Sequence, residues 1–369
     1  MKKRELPPLI AIAVILLALS VGSLLLPDRD FSPNENRYLQ KSPALTTQRL
    51  FSGKFTEEAE KYESDQIALR DVWMGAASTL QRLAGKQDIS GVYLGKDGYY
   101  FARLTEDDFD QAAYEKNLRA VRDFFDAHTD LDCRILLAPT PAYVLSDKLP
   151  ANAPVYDAAA RHDQLAETVG EERVIDVRRA LEITPDPYYR TDHHWTTEGA
   201  YAAYQTWCEA TGREARAWTL STATADFRGT LYSKVLLPDA ARDIISMARD
   251  VTVRSVDCDG TVTDSLYDMT KLAEKDQYTV FQGGNWAKVT VETGVENGRH
   301  LLLVKDSFAN SFVPFLTGDY ETITMLDLRF FADPVSRLME EQGITDVLVL
   351  YELSNFAADN HLFKLNDGQ

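Results

Sequence analysis

The chain has 369 residues, 45% apolar and 26% charged, which excludes wholesale disorder and allows one large domain or two small ones with a sizeable core. A net charge of -18 argues against binding to nucleic-acid phosphates, which needs clustered Lys and Arg, so no nucleic-acid partner is expected. Cys133, Cys208 and Cys258 form no CxxC pair, which argues against a structural zinc site; export would allow them one disulfide, and Cys133 and Cys208 read as small core residues.

The N-terminus bears on the compartment. Met1-Lys2-Lys3-Arg4-Glu5 is basic and is followed by an almost unbroken apolar run from Leu9 to Leu26. About 18 residues is near the minimum that spans a bilayer core. The basic flank should stay in the cytoplasm, and the rest should be translocated. The expectation is a single-pass membrane anchor over residues 1–26, with the remainder extracytoplasmic. A cleaved signal peptide, with Ala18-Leu19-Ser20 as a small-x-small site, is the alternative and would leave the protein secreted.

Residues 27–49, with Pro27, Pro33 and Pro43, read as a linker or extended arm. From residue 50 onward the pattern is that of one α/β domain. Leu50 to Leu83 is helical, with Phe55, Ala59, Tyr62, Val72, Trp73 and Leu80 at helical intervals. Gly95-Lys96-Asp97-Gly98 between two β-rich runs predicts a hairpin over 91–101. Gln111 to Ala127 is an amphipathic helix, with Tyr114, Leu118, Val121 and Phe125 on one face. Arg134 to Ala138 is a short apolar run of the kind buried on both sides of a sheet. Asp157 to Val169 is a helix and Val174 to Val177 a strand. Thr196 or Thr197 can cap a further helix that Gly212 ends. From Thr219 to Lys275 the periodicity fades, which suggests an inserted β-rich lobe. Alternation returns at Tyr278 to Phe281. Strands follow at 287–293, 301–304, 322–326 and 346–351, with helices at 309–316 and 334–341. Alternating β and α predicts a mostly parallel sheet covered by helices.

Two stretches carry chemistry. The first is Tyr188-Tyr189-Arg190-Thr191-Asp192-His193-His194-Trp195-Thr196. A hydroxyl nucleophile needs a base to take its proton, and the base needs a carboxylate to hold its tautomer. Asp192 and His194, two apart, share a side of an extended segment, and His193 would point away. The second stretch is Lys305-Asp306-Ser307-Phe308-Ala309-Asn310. There Ser307 stands where a buried strand meets a helix, the edge where ligands bind in parallel sheets. A sharp turn at that point exposes Oγ and aims the next backbone N–H at the same space. Gln282-Gly283-Gly284-Asn285 also follows a predicted strand, and its glycines permit close backbone approach to a substrate. Trp195, Tyr188 and Tyr189 are candidates for stacking on a sugar ring, and Arg190 and Arg329 for an acidic sugar. A zinc site from His193 and His194 with a distant carboxylate is a lesser alternative; no metal and no cofactor is expected.

Thr191-Asp192-His193-His194-Trp195 resembles the motif that names the DHHW family. That family is similar to the alginate O-acetylation proteins, whose domains resemble SGNH hydrolases. The likeness extends over Phe281 to Asn285, Lys305 to Ser311, Pro314-Phe315-Leu316 and Leu326-Asp327-Leu328-Arg329. It implies an SGNH-hydrolase-like three-layer sandwich. It further implies Ser307 as nucleophile, His194 as base, Asp192 as orienting acid, and Gly284 and Asn285 in the oxyanion hole, with Asn310 a competitor. Ordinary SGNH hydrolases place the serine first in the chain. Here Asp-x-His precedes it, as in the alginate acetylation group. The resemblance therefore implies acyl transfer to a surface polysaccharide, with a membrane-bound O-acyltransferase as acyl donor. The alternatives are a carbohydrate esterase and a non-catalytic polysaccharide-binding or assembly protein.

Overall fold

In the computed structural model the described residues are 37–367, 25–35, 19–23 and positions 10, 14 and 17. Of the expected anchor, Leu9 to Leu26, eight residues lie outside them. Among the described residues no helix is long and apolar enough to cross a membrane.

The chain divides into two compact units: residues 1–90 with 232–240, and residues 91–231 with 241–369. The first holds a short antiparallel pair, Phe31–Ser32 with Arg37–Tyr38, and the helices Thr47–Phe51, Lys54–Gln66 and Arg70–Leu83. The arm expected at 27–49 is thus partly ordered. Buried Asp65 holds it by accepting from Arg37 Nη2 at 2.5 Å and from the Gln40 N–H at 2.8 Å. Helix Arg70–Leu83 departs from the pattern expected of it. Gly75 and Ser78 are the buried positions, and Val72, Trp73 and Leu80 stay exposed. A Cβ at Gly75 would lie 2.6 Å from the Leu236 carbonyl oxygen, so the helix seats its small residues against that backbone.

The second unit is built on a seven-stranded sheet. In chain order its strands are β1 (Asp132–Ala138), β2 (Val253–Cys258), β3 (Thr261–Thr263), β4 (Lys288–Thr293), β5 (His300–Lys305), β6 (Thr322–Leu326) and β7 (Asp346–Glu352). Their spatial order is β3-β2-β4-β6-β5-β7-β1. The run β6-β5-β7-β1 is parallel, whereas β4 pairs antiparallel with both β6 and β2, and β2 with β3. The sheet is therefore mixed rather than mostly parallel. Periodicity reports that a strand is buried; it carries no information on strand direction.

Side-chain alternation splits the sheet into two cores. Leu301 and Leu303 join one face with Tyr204, Trp207, Phe312 and Phe315 from the helices Thr197–Ala210 and Ala309–Leu316. Leu302 and Val304 join the other face with Tyr114, Leu118, Leu165 and Val335 from the helices Gln111–Ala127, Ala158–Val169 and Val335–Gln342. Helices on both faces make the expected three layers.

Two expectations are corrected. Val174 to Val177 is not a strand: it meets β1 through one parallel bridge, Ile135 with Val174. The stretch 219–275 is not one separate lobe. Leu220–Phe227 and Asp243–Ala248 form a two-stranded ribbon, but β2 and β3 complete the antiparallel edge of the main sheet. The three cysteines are buried and unpaired.

Candidate active site

Ser307 follows β5 by two residues, at the carboxyl edge of the parallel strands, with helix Ala309–Leu316 just after it. Asp306 shapes that turn. Its Oδ1 accepts the Phe308 N–H at 2.8 Å, and its Oδ2 accepts the Glu352 N–H at 2.9 Å and Asn355 Nδ2 at 2.8 Å. The turn is thereby tied to the end of β7. Burial pushes the Asp306 carboxyl above its ordinary range, and these donors pull it back. The Phe308 N–H expected to aim into the site is thus engaged by Asp306.

The DHHW segment is a loop pinned from several sides. Tyr188 and Trp195 form a bridge across it, and the Tyr189 N–H donates to the His194 carbonyl at 3.2 Å. Asp243, buried at the start of the ribbon strand Asp243–Ala248, accepts from the Arg190 N–H at 2.8 Å and the Thr191 N–H at 2.9 Å. Asp192 Oδ2 accepts the Thr230 N–H at 2.8 Å and its hydroxyl at 3.0 Å. A Cβ at Gly229 would meet Asp192 at 2.2 Å, so only glycine lets the carboxylate lie against that backbone.

These restraints leave Asp192 Oδ1 2.5 Å from His194 Nδ1, and His194 Nε2 2.8 Å from Ser307 Oγ. Asp192 and His194 are buried. Burial alone would raise the Asp192 pKa, but the two imidazoles and the Thr230 and His194 donors hold it well below the usual carboxylate range. An ionised Asp192 requires the proton on Nδ1, which leaves the Nε2 lone pair facing Oγ.

His193 departs from the expected geometry. The loop is not extended, and the His193 ring lies 3.9 Å from that of His194, centroid to centroid. Its Nδ1 is 2.8 Å from Thr230 Oγ1. Burial, then the neighbouring His194, brings its pKa down to about 4, so it is neutral at ordinary pH. Asp192, His193 and His194 offer ligand atoms within 4.8 Å of one another and are the group among the described residues that could hold a cation. The donor set fits poorly, because the nitrogens of His194 already face Asp192 and Ser307.

Sequence reasoning missed three residues here. Tyr278 stacks on His194, with centroids 3.8 Å apart and planes 11° apart, and donates its hydroxyl to the Ser307 carbonyl at 3.0 Å. Its segment reads as a strand but is a 3-10 helix, Gln277–Val280. Thr230 and Asp243 lie in the stretch of faded periodicity, where no motif marks them.

The remaining candidates separate clearly. Gly284 has φ +128° and Gly283 φ +73°, backbone that favours glycine, but the Gly284 N–H closes a turn on the Phe281 carbonyl at 3.2 Å. Asn285 is exposed, and its Oδ1 accepts from Asn310 Nδ2 at 3.2 Å. Trp195 and Tyr189 are 0% and 1% exposed, which makes them packing groups rather than open stacking platforms. Trp195 Nε1 donates to the Phe308 carbonyl at 2.9 Å and Ser311 Oγ at 3.0 Å, so it anchors the helix behind the serine. Tyr188 is buried too. Arg329 grips Asp327 with Nε at 2.8 Å and Nη2 at 2.5 Å, and Arg190 pairs with Asp186 at 2.8 Å.

Residues 92–272 match the family model described as SGNH hydrolase-like domain, acetyltransferase AlgX. The match takes in Asp192 and His194 and ends before Ser307. Two curated proteins named "Probable alginate O-acetylase AlgJ" are similar. The one from Pseudomonas putida is 24% identical over 259 residues, 62% of this chain and 64% of the relative. The one from Pseudomonas syringae is 23% identical over 227 residues, 56% of this chain and 57% of the relative. The chain thus spans less than two thirds of either relative's length. The fold is similar to that of a DHHW family protein from Eubacterium siraeum, with TM-score 0.63 and 24% identity, covering 76% of this chain and 96% of that one. It is also similar to PatB1 of Bacillus cereus, with TM-score 0.59 and 23% identity, covering 73% of this chain and 97% of that one. By family model, relatives and fold together, this chain resembles the SGNH hydrolase-like proteins of alginate O-acetylation and the DHHW family.

Proposed function

We propose that this protein transfers an acyl group, acetyl above all, to a polysaccharide hydroxyl through an acyl-serine on Ser307. The observation that carries the reading is the unbroken line Asp192–His194–Ser307, with links of 2.5 Å and 2.8 Å on a buried imidazole. Ser307 Oγ attacks the carbonyl carbon of the acyl donor as its proton passes to His194 Nε2. Collapse of the tetrahedral adduct breaks the bond to the donor's leaving oxygen, which takes that proton. A sugar hydroxyl then gives its proton to Nε2 and attacks the acyl-serine. Oγ leaves and is reprotonated by His194. Asp192 holds the ring tautomer throughout. With the Gly284 and Phe308 N–H groups engaged elsewhere, we assign the oxyanion to the Ser307 N–H and the Asn285 amide. A donor of this kind lowers a barrier by about 3 kcal/mol.

The acetylase names of the similar Pseudomonas proteins support acetyl as the group and a polysaccharide as acceptor. The N-terminal run supports an anchored, extracytoplasmic enzyme. Such an enzyme needs acyl groups passed across the membrane, and a membrane-bound O-acyltransferase is the donor we infer from the family resemblance.

The test is turnover of p-nitrophenyl acetate by Ser307→Ala and His194→Ala, with intact-mass detection of acetyl-enzyme in the parent. Each variant should lose several orders of magnitude of kcat. Parent-like rates in both would end the proposal. Adding an oligosaccharide acceptor then separates transfer from hydrolysis: acetylated sugar supports transfer, and acetate alone makes the protein an esterase.

A further inference from the structure

Lys305 plays no part in the chemistry set out above, yet it is buried beside it. It closes β5 two positions before Ser307 and is 1% exposed. Its Nζ donates to Asn310 Oδ1 at 2.8 Å and to Asn285 Oδ1 at 3.1 Å. Asn310 Nδ2 donates in turn to Asn285 Oδ1 at 3.2 Å. The Asn310 backbone is fixed as well, since its N–H reaches the Ser307 carbonyl at 3.2 Å and its own carbonyl accepts Gln282 Nε2 at 3.0 Å.

Taking an ammonium out of water is costly unless polar partners and opposite charge offset it. Burial lowers the Lys305 pKa to about 8 against the fields of buried Asp327 and Asp306, so the group is still mostly an ammonium at neutral pH. An ammonium has three donors and no acceptor. The two ends of an asparagine amide are nearly the same size, but only the oxygen end can face an ammonium. Lys305 therefore selects the flip of two asparagines together. It turns the Asn310 NH2 toward Asn285 and the Asn285 NH2 away from the core, at the exposed end of the Gly283-Gly284 turn.

We propose that Lys305 is a positioning residue that holds the Asn285 amide with its NH2 end presented to the oxyanion, using Asn310 as a brace. The proposal rests on Ser307 being the nucleophile. A neutral side chain at 305 leaves both amides free to rotate, and the oxygen of Asn285 would then repel the developing negative charge.

The experiment is a double-mutant cycle on the full chain with p-nitrophenyl acetate, using Lys305→Met, Asn285→Ala, the pair, and Ser307→Ala as reference. Each single variant is expected to lose roughly 100-fold or more in kcat with KM within about twofold, the mark of a contact made in the transition state. The pair should be no worse than either single, because both changes remove one donor. A Lys305→Met protein with parent-like kcat, or losses that multiply in the pair, overturns the proposal. If Lys305→Met does not fold, Lys305→Gln takes its place in the cycle, since a neutral side chain cannot dictate the flip: a kcat loss at constant KM that adds nothing to that of Asn285→Ala upholds the idea, and a parent-like kcat overturns it. Asn285→Ala, whose exposed side chain leaves the fold intact, overturns it as well if its kcat is unchanged. Turnover surviving in Ser307→Ala sinks the nucleophile assignment and this inference together. A dead Ser307→Ala beside a fully active Lys305→Met sinks this inference alone.

Discussion

The two halves of the site are held in different ways. The serine turn is positioned mainly by its neighbours: β5 sits between β6 and β7 in the sheet, and Asp306, one residue from Ser307, binds the Phe308 and Glu352 amides. The DHHW loop belongs to no strand, although Tyr188 and Trp195 at its ends pack into the core on one face of the sheet. Side chains and backbone from elsewhere in the chain, at Asp243, Thr230 and Gly229, hold it in place. A strand end comes with its geometry almost built in, whereas a loop outside the strands needs external clamps. Loss of the loop's carboxylate or of its clamps should therefore show in rate, and loss of the ties between the serine turn and the end of β7 should show in stability.

Asp192→Asn makes the largest test of the loop. It keeps the shape and removes the charge that selects the His194 tautomer, so kcat should fall by roughly 10^3- to 10^4-fold; the melting temperature should drop too, because an amide cannot accept from both Thr230 and His194 as the carboxylate does. A drop below tenfold would show that the loop does not depend on its carboxylate. On the serine side the comparable test is Glu352→Gln. Burial raises Glu352 from an ordinary 4.5 to about 7. A carboxyl raised in the folded state contributes stability that is full below pH 4.5 and is lost as pH climbs through 7, on the order of 3 kcal/mol over that window. Denaturant melts at pH 4.5 and pH 7 should show this slope in the parent and a flatter one in Glu352→Gln. Equal slopes would remove Glu352 as its source.

Gly229→Ala returns to the loop. The new Cβ would lie 2.2 Å from Asp192, and displacing the carboxylate by about 1 Å should cost on the order of 100-fold in kcat. Overpacking would add about 1–3 kcal/mol of destabilisation. An active Gly229→Ala would show that the loop tolerates this displacement of its carboxylate. Trp195→Phe is the mildest. It removes the Nε1 bonds to Phe308 and Ser311 while keeping an aromatic core, so stability should fall by about 1–2 kcal/mol. KM for an oligosaccharide acceptor should stay unchanged, because a ring at 0% exposure does not stack on a sugar. A raised acceptor KM with unchanged melting would reverse that assignment.

Much of the fold was legible in local pattern. Helix Gln111–Ala127 has its predicted ends, Thr196 caps the helix after the motif, and β5 runs into Ser307 as its apolar run suggests. Where reading went astray, the missing quantity was non-local. Tyr278 to Phe281 carries β-type residues yet coils over His194, because the contact available to the Tyr278 ring outweighs its strand preference. The inward turn of His193 was equally hidden, since a two-residue rhythm holds only for an extended segment and this loop bends.

The residue types of the candidate site, the strand that carries the serine, the helices that follow both stretches, and the two-faced burial of the central strands could all be read along the chain. All of these follow from periods of two and 3.6 residues and from short-range capping. Strand direction, the burial of Trp195 and Tyr189, the engagement of the Gly284 and Phe308 amides, and the approach of His194 to Ser307 emerged only in three dimensions. Each of these joins groups far apart in the chain or exchanges one hydrogen-bond partner for another. Such choices are settled by competition among contacts in space, which no short window of sequence contains.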